Sequence, residues 1–451
     1  MAAPAMTGQE QWRSRTGFIL ATVGSAVGIG NIWRFAYVAG ENGGGVFLIV
    51  YLLFVVLIGL PLVIAELSLG RRAQGDAVSA FTLSDPAVPG SWPVAGWIAV
   101  AGAVIILSYY AVIAGWALGY AAGAVTGELW TVAAAGYGGY FREFIAGPVW
   151  PVLCQATMLA VTTAVVVGGV QGGIERLNRW LMPALAAIVL GLALHAVTLP
   201  GAEAGVRFLL APDWQALGRP EVYAAALGQA FFSIGVGCAV FATYGSYLPR
   251  SVALPASATA IVLGDTLFAV LAGLAIFPAV FAFGLDPRAG PELAFITLPQ
   301  IFLAMPGGRI VGTLFFLLLA AAALTSMISL LEVPVAVAMR RLRLRRRTAA
   351  LAVGALVFTL GLPSALSFGW LAEVRIGRHG ILDAIDAFAS TLLLPLGGLA
   401  IALFVGWRIE KGLALREADL AQTRIGTLWV WLLRLPVPLA IAAILIRSAA
   451  G

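Results

Sequence analysis

Two short runs of small residues interrupt hydrophobic stretches that are otherwise long enough to cross a membrane as helices. The first is Gly24-Ser25-Ala26-Val27-Gly28-Ile29-Gly30-Asn31, inside the apolar segment from about Thr16 to Val38, with Arg34 just beyond it. The second is Ser233-Ile234-Gly235-Val236-Gly237-Cys238-Ala239. Unsatisfied backbone groups are costly in hydrocarbon, so a membrane helix opens only where the freed groups line a cavity or bind something. Opening it releases carbonyl oxygens, which suit hard cations. It also leaves amides at the N-terminus of the next half-helix, which suit an anion. Gly28 and Gly30 remove the Cβ atoms that would hold a carboxylate away from the amides of Ile29 and Gly30, and Gly235 and Gly237 do the same in the second run. A single glycine pair can equally mark close helix packing. Two interruptions five spans apart favour paired binding segments, the pattern that points to the site in secondary transporters. Neither run is a phosphate loop, since GxxxxGK[ST] is absent and neither completes GxGxxG after a strand.

Membrane helices must position these runs. The 451-residue chain is 61% hydrophobic and 11% charged, with mean hydropathy +0.98, a balance that no water-soluble surface permits. Apolar segments near 16–38, 44–70, 92–125, 149–169, 178–199, 223–248, 256–284, 309–338, 349–366, 382–407 and 427–446 give eleven spans. With the N-terminus inside, seventeen Arg and Lys residues fall on cytoplasmic segments and eight on outer ones. The positive-inside rule therefore places the N-terminus in the cytoplasm and, after eleven spans, the C-terminus outside. The net charge of +6 sits in short clusters between spans, densest at Arg340–Arg347. That is the composition of cytoplasmic loops attracted to anionic lipid, not of a nucleic-acid-binding face. Cys154 and Cys238 both lie in apolar segments and imply neither a disulfide framework nor a metal site. His195 and His379 lie far apart with no metal partners, and no cleavable signal pattern precedes the first span. Outer segments 126–148, 200–222 and 285–308 are rich in Gly, Pro or aromatic residues, and two of them are long enough to fold over an entrance.

From Trp12 onward the chain resembles the neurotransmitter:sodium symporter family, above all its bacterial amino-acid branch. The residues that carry the resemblance are Gly-Ser-Ala-Val-Gly-Ile-Gly-Asn-Ile-Trp-Arg-Phe at 24–35, Glu-Asn-Gly-Gly-Gly at 41–45, Glu66 with Gly70-Arg71, Gln-Ala-Phe-Phe-Ser at 229–233, Thr-Tyr-Gly-Ser-Tyr at 243–247, Phe-Ile-Thr-Leu-Pro at 295–299 and Leu-Thr-Ser at 324–326. The resemblance implies an all-α polytopic membrane protein with the LeuT-like 5+5 inverted repeat, broken helices 1 and 6, and eleven transmembrane helices. Its organisation would be a cytoplasmic N-terminal segment (1–15), a first repeat (16–199), an extracellular loop (200–222), a second repeat (223–407), and a cytoplasmic loop with helix 11 (408–451). It further implies a carrier rather than an enzyme: sodium-coupled uptake of an amino acid by alternating access, in a bacterial cytoplasmic membrane. No organic cofactor and no nucleic-acid partner are expected, and the oligomeric state is monomer or homodimer.

By the same resemblance, one sodium site uses the Ala26 carbonyl, Asn31, Ser233 and Asp265 together with the substrate carboxylate. A second uses the carbonyls of Gly24, Val27 and Ala322 with the hydroxyls of Thr325 and Ser326. All are oxygen ligands, as a hard cation prefers. The substrate carboxylate would meet the amides of Ile29 and Gly30 and the Tyr110 hydroxyl, and its amine the carbonyls of Ala26, Phe232 and Ser233. The side-chain pocket would include Ile106, Phe232, Gly235, Cys238, Ser326 and Leu330. In the family's monoamine carriers an aspartate stands at position 28, replacing the carboxylate their substrates lack. Gly28 therefore implies an amino-acid substrate, and Cys238, where small-substrate relatives have phenylalanine, implies a bulky aliphatic or aromatic one. Asp265 stands where chloride-dependent relatives have a neutral residue, so chloride-independent transport is expected. Glu66 would accept hydrogen bonds from the opened sixth helix. Arg34 and Asp386 would form an outer gate across a water-filled vestibule, above an aromatic lid of Tyr110 and Phe232.

The chain departs from the family pattern at several points. Ala36 replaces the proline of Arg-Phe-Pro, and Val50 stands where proline is common. Gln9 replaces the arginine three residues before the family tryptophan, and Arg340 replaces its aspartate partner, so the customary cytoplasmic ion pair cannot form. Three alternatives stay open: a carrier of the same fold for another zwitterion, a proton-coupled carrier, and an ion channel, for which no filter-like repeat is present.

Overall fold

In a computed structural model the described residues are 10–82, 92–133, 136–288, 293–421 and 423–450. Gln9 lies outside them. Two of the eleven apolar segments are broken helices and nine are continuous. The first pair is α1 (Arg15–Ala26) and α2 (Gly30–Glu41), bent by 54° at the break. The nine continuous helices are α3 (Gly45–Ala73), α4 (Pro93–Thr126), α6 (Trp150–Val167), α7 (Val170–Val197), α11 (Leu254–Ala282), α13 (Gly308–Arg341), α14 (Arg346–Ala365), α15 (Ile381–Arg408) and α17 (Arg424–Ile446). The second broken pair is α9 (Pro220–Ile234) and α10 (Val240–Ser246), whose second half has 7 residues. Shorter helices fill the connections: α5 (Tyr137–Ala146), α8 (Glu203–Leu210), α12 (Thr297–Ala304) and α16 (Lys411–Glu417). A two-residue β hairpin, β1 (Arg375–Ile376) with β2 (His379–Gly380), leads into α15.

Burial sorts the long helices into an inner and an outer set. In their most apolar windows α4 and α13 are 78% and 72% buried, against 33% for α7 and α17. The first two are hydrophobic on every face and pack against each other through the centre of the bundle. The outer helices show Leu263, Leu267, Leu356, Ile425 and Leu439 on their surfaces. In water such a continuous apolar surface would be a liability; in a bilayer it is the lipid-facing coat.

The second break is held open by backbone conformation. Gly235, Gly237 and Ala239 take φ values of 74°, 99° and 60°, the left-handed region that glycine enters freely and other residues seldom do. A Cβ on Gly237 would lie 2.5 Å from the Leu394 carbonyl and 2.8 Å from the Gly398 amide. The break therefore rests directly on α15. The first break is shorter. Val27 leaves the helical region, and the chain resumes in a wide π turn over Gly30–Arg34.

Two sequence expectations are refined. The fifth span begins at Val170, not 178, because Glu175 is satisfied inside the protein: it accepts from the Arg13 amide (2.8 Å), the Ser14 hydroxyl (3.0 Å) and Arg179 (2.9 Å). Outer segments 126–148 and 285–308 carry the helices α5 and α12. These bring Phe141, together with Phe295 just before α12, against the bundle, their rings stacked at 5.3 Å.

Candidate functional site at the two broken helices

The breaks face each other across a cavity of about 60 Å³ lined by both of them, α4, α13 and α15. Ala26, Gly30, Ile106, Tyr110, Phe232, Ser233, Gly235, Cys238, Ser326 and Leu330 all line it. Ile29 faces the neighbouring vestibule cavity, but its amide donates to the Tyr110 hydroxyl at 3.0 Å, so two of the three groups expected to hold a carboxylate are together. Gly28 lines the cavity too, and a Cβ there would lie 2.5 Å from Ser326 Oγ and 2.7 Å from Tyr110 Oη. Any side chain at position 28 would therefore project among the groups proposed to bind substrate. Five further lining residues escaped the sequence reading: Ser25, Ile234, Val240, Ser329 and Leu394. Helical spacing was the available signal for one of them, since Ser329 lies one turn past Ser326.

Beside the cavity a fully buried polar cluster joins four helices, α2, α3, α9 and α11. Asn31 Nδ2 donates to Asp265 Oδ1 at 2.6 Å, to the Asp265 carbonyl at 3.1 Å and to Ser233 Oγ at 3.0 Å. Ser233 Oγ donates to Asp265 Oδ2 at 2.8 Å, and the Tyr51 hydroxyl donates to Ser233 Oγ at 3.2 Å. Asn31 Oδ1 accepts from the Gly28 amide at 3.1 Å, which folds the side chain back over the break. This places one carboxylate and several neutral oxygens around the opened segment, a donor set suited to one monovalent hard cation.

A second oxygen cluster lies between the first break and α13. Thr325 Oγ1 is 3.3 Å and Ser326 Oγ 3.4 Å from the Val27 carbonyl, and Thr325 Oγ1 also donates to the Ala322 carbonyl at 2.7 Å. Gly24 sits on the same half-helix, packed against Asn178 and Met182 of α7. Among the described residues no group of three or more His, Cys, Asp or Glu side chains forms a metal cage. The oxygen atoms gathered at the two breaks are carbonyls, hydroxyls and one carboxylate, ligand types that hard cations prefer.

Glu66 props open the second break. Its carboxylate accepts from the amides of Gly237 (3.1 Å), Phe241 (3.1 Å) and Ala242 (3.3 Å). These groups have no partner within the helix at a half-helix N-terminus, and a buried carboxylate satisfies them.

Outside the central cavity lies a vestibule of about 420 Å³, walled by Trp33, Tyr37, Trp116, Phe141, Phe295 and Phe368 among others. Tyr110 and Phe232 line both spaces and stand between them. Arg34 and Asp386 are on the vestibule wall but form no ion pair with each other. Arg34 instead lies over the Phe232 ring at 4.2 Å and reaches Gln229 Oε1 at 3.4 Å. The opposite end is closed. Trp12 is 6% exposed, its indole donating to the Tyr244 carbonyl at 2.9 Å and its amide to the Tyr247 carbonyl at 3.2 Å. Arg340 does not substitute for the missing ion pair; it turns to Asp76 (4.0 Å) and the Gln74 carbonyl (3.0 Å). The charges that close this end are Glu10, Arg346 and Glu332.

Two opened helices around one cavity, with a vestibule on one side and a bonded plug on the other, define a membrane carrier. The chain belongs to the sodium:neurotransmitter symporter family, whose profile matches residues 9–137 and 146–450. It is 41% identical to the sodium-dependent transporter YhdH of Bacillus subtilis, with 97% of each chain covered. The sodium-dependent serotonin transporter of Drosophila melanogaster is 28% identical over 81% of this chain and 66% of its own length. Among solved structures, MhsT in complex with L-phenylalanine matches with a TM-score of 0.91 and 50% identity, covering 98% of this chain and 100% of that one. The protein is thus a sodium-dependent, LeuT-fold membrane transporter.

Proposed function

We propose that the protein is a symporter that couples the sodium gradient to uptake of a bulky hydrophobic or aromatic L-amino acid, without chloride. The observation that carries this reading is Gly28. Its missing side chain leaves room beside Tyr110 and the Ile29 amide for a carboxylate that the substrate must supply. The apolar walls (Ile106, Phe232, Val240, Leu330, Leu394) suit a large hydrophobic side chain, and the similarity to a transporter crystallised with L-phenylalanine supports the same size class.

Two sodium ions enter this scheme as co-substrates. One binds at the Ala26 carbonyl, Asn31, Ser233 and Asp265, where the substrate carboxylate completes the shell, so that substrate and ion favour each other's binding. The other binds at the Gly24, Val27 and Ala322 carbonyls with Thr325 and Ser326, and ties α1 to α13. Asp265 supplies fixed negative charge beside the first ion, which removes the need for a bound anion. The carrier operates in the bacterial cytoplasmic membrane with its N-terminus inside and C-terminus outside, as monomer or homodimer. Arg34 and Asp386 close the vestibule over the loaded site while Tyr110 and Phe232 cover the substrate.

Uptake of radiolabelled Trp, Tyr, Phe, Leu and Ala into proteoliposomes tests the reading. A sodium gradient is expected to raise uptake of the bulky substrates about tenfold or more over a potassium-only control, and gluconate in place of chloride is expected to change nothing. No sodium stimulation for any amino acid would defeat the main claim; loss of uptake in gluconate would defeat only chloride independence.

A further inference from the structure

The central cavity is not uniformly apolar, and three of its polar side chains are oriented in one sense. Ser25 Oγ donates to the Thr22 carbonyl at 2.7 Å, and Ser329 Oγ donates to the Ser326 carbonyl at 2.8 Å. The Cys238 thiol donates to the Gly235 carbonyl at 3.2 Å. All three residues line the cavity. Each spends its single hydrogen inside the protein, so what it can offer a ligand is lone pairs. Acceptors without a donor are costly to dehydrate by an apolar group, and they reward a ligand that brings a hydrogen.

Their position separates them from the groups proposed to hold the substrate backbone. The amides of Ile29 and Gly30 belong to the start of α2. Ser25 lies on α1, across the break. Ser329 lies one turn beyond Ser326 toward the Arg341 end of α13, and Cys238 is the last residue before the φ-positive Ala239 that caps α10. Across the break from the amides, the cavity is therefore walled by hydrocarbon with hydroxyl and thiol acceptors set into it. An aliphatic chain or a phenyl ring would cover these oxygens and give nothing back. An indole N–H or a phenol O–H would donate to them.

Resting on the amino-acid reading above, we infer that the pocket selects aromatic amino acids whose side chain carries a hydrogen-bond donor, with Ser329 and Ser25 as the accepting residues. Tryptophan and tyrosine are then preferred over phenylalanine and leucine of similar bulk. The preference is that of roughly one neutral hydrogen bond, about fivefold. The serines set specificity among substrates and are not themselves ligands in the proposed sodium sites.

The test uses an isostere, so that size does not enter. Sodium-driven uptake or binding of L-tryptophan is competed against L-β-(3-benzothienyl)alanine, in which sulfur replaces the indole N–H, in the full-length transporter in proteoliposomes. The wild type is expected to favour tryptophan about fivefold, and tyrosine over phenylalanine in the same direction. In Ser329→Ala the tryptophan-to-isostere ratio is expected to fall toward one, whereas Ser329→Thr, which keeps a hydroxyl, retains it. A wild-type ratio near one overturns the inference even if no variant folds, and so does a ratio that survives in the Ser25→Ala/Ser329→Ala double variant. Failure of every amino acid to show sodium-dependent uptake strikes instead at the proposed function, and is read in the same assay before any ratio is taken.

Discussion

The vestibule end of this transporter and the opposite end, around Trp12, are built by different means. At the end around Trp12, Arg346 donates to both carboxylate oxygens of the fully buried Glu332, at 2.8 and 2.9 Å. Tyr247 donates to the same carboxylate at 2.6 Å, and Glu10 lies 3.1 Å from Arg346 Nε. Nearby, Arg71 forks onto Asp419 at 2.9 Å for each contact and also donates to the Val252 carbonyl, joining three inner segments. At the vestibule end Arg34 and Asp386 share the walls with Arg142 and Asp383, and Arg34 and Asp386 form no ion pair with each other. The difference teaches how each end is held: the end around Trp12 is joined by charge-assisted bonds, and the vestibule end is a cleft in which Arg34 and Asp386 are not joined. In the proposed alternating-access cycle the bonded end must yield and an Arg34–Asp386 pair must form, so substitutions at the two ends should act on different observables.

The largest effect is expected at the bonded end. Arg346→Ala leaves Glu332 buried without its cation, and breaking such a pair costs about 3–5 kcal/mol. Thermal unfolding in detergent or lipid is expected to show that loss, together with a shift toward the inward-open state seen as faster labelling of cysteines placed along α1. A variant of wild-type stability and accessibility would show that the bonds at this end do not hold it shut. Trp12→Ala should come next. Removing a buried indole costs about 3 kcal/mol, but here the N-terminal segment can lift away, so the loss should appear mainly as opening of the inner face. Unchanged labelling with a lowered melting temperature would assign Trp12 to general packing instead.

The broken helices were legible because glycine runs inside apolar spans are rare without a purpose, and both runs sit where the helices open. Gly28 was equally legible, since an absent side chain beside a tyrosine hydroxyl has a plain chemical meaning. The inner closure was not. Its customary pair is missing at Gln9 and Arg340, and nothing in sequence spacing joins Glu10, Tyr247, Glu332 and Arg346, which meet only through tertiary packing. The start of the fifth span at Val170 was hidden for a related reason. Glu175, Arg176 and Arg179 look like loop residues until the N-terminal segment is seen to satisfy Glu175. The aromatic vestibule was hidden too, because Phe141 and Phe295 come from outer loops whose course hydrophobicity does not reveal.

The smallest effect on stability, and the sharpest on function, is expected at the vestibule end. Arg34 and Asp386 are unpaired in this state, so neither Arg34→Ala nor Asp386→Ala removes a bond between them. Each should cost no more than about 1 kcal/mol of stability, the scale of a solvated ion pair, with Arg34 losing its contact with the Phe232 ring as well. Transport should nevertheless fall by roughly tenfold or more in each, because a pair worth about 1.4 kcal/mol in the closed state shifts the occluded population by that factor. If the pair is what closes the vestibule, the exchanged variant Arg34→Asp/Asp386→Arg should recover part of the loss, since attraction does not depend on which wall carries which sign. Equal loss in the exchanged and single variants would place the role of Arg34 in its stacking on Phe232, and the outer end would then close by aromatic packing rather than by charge.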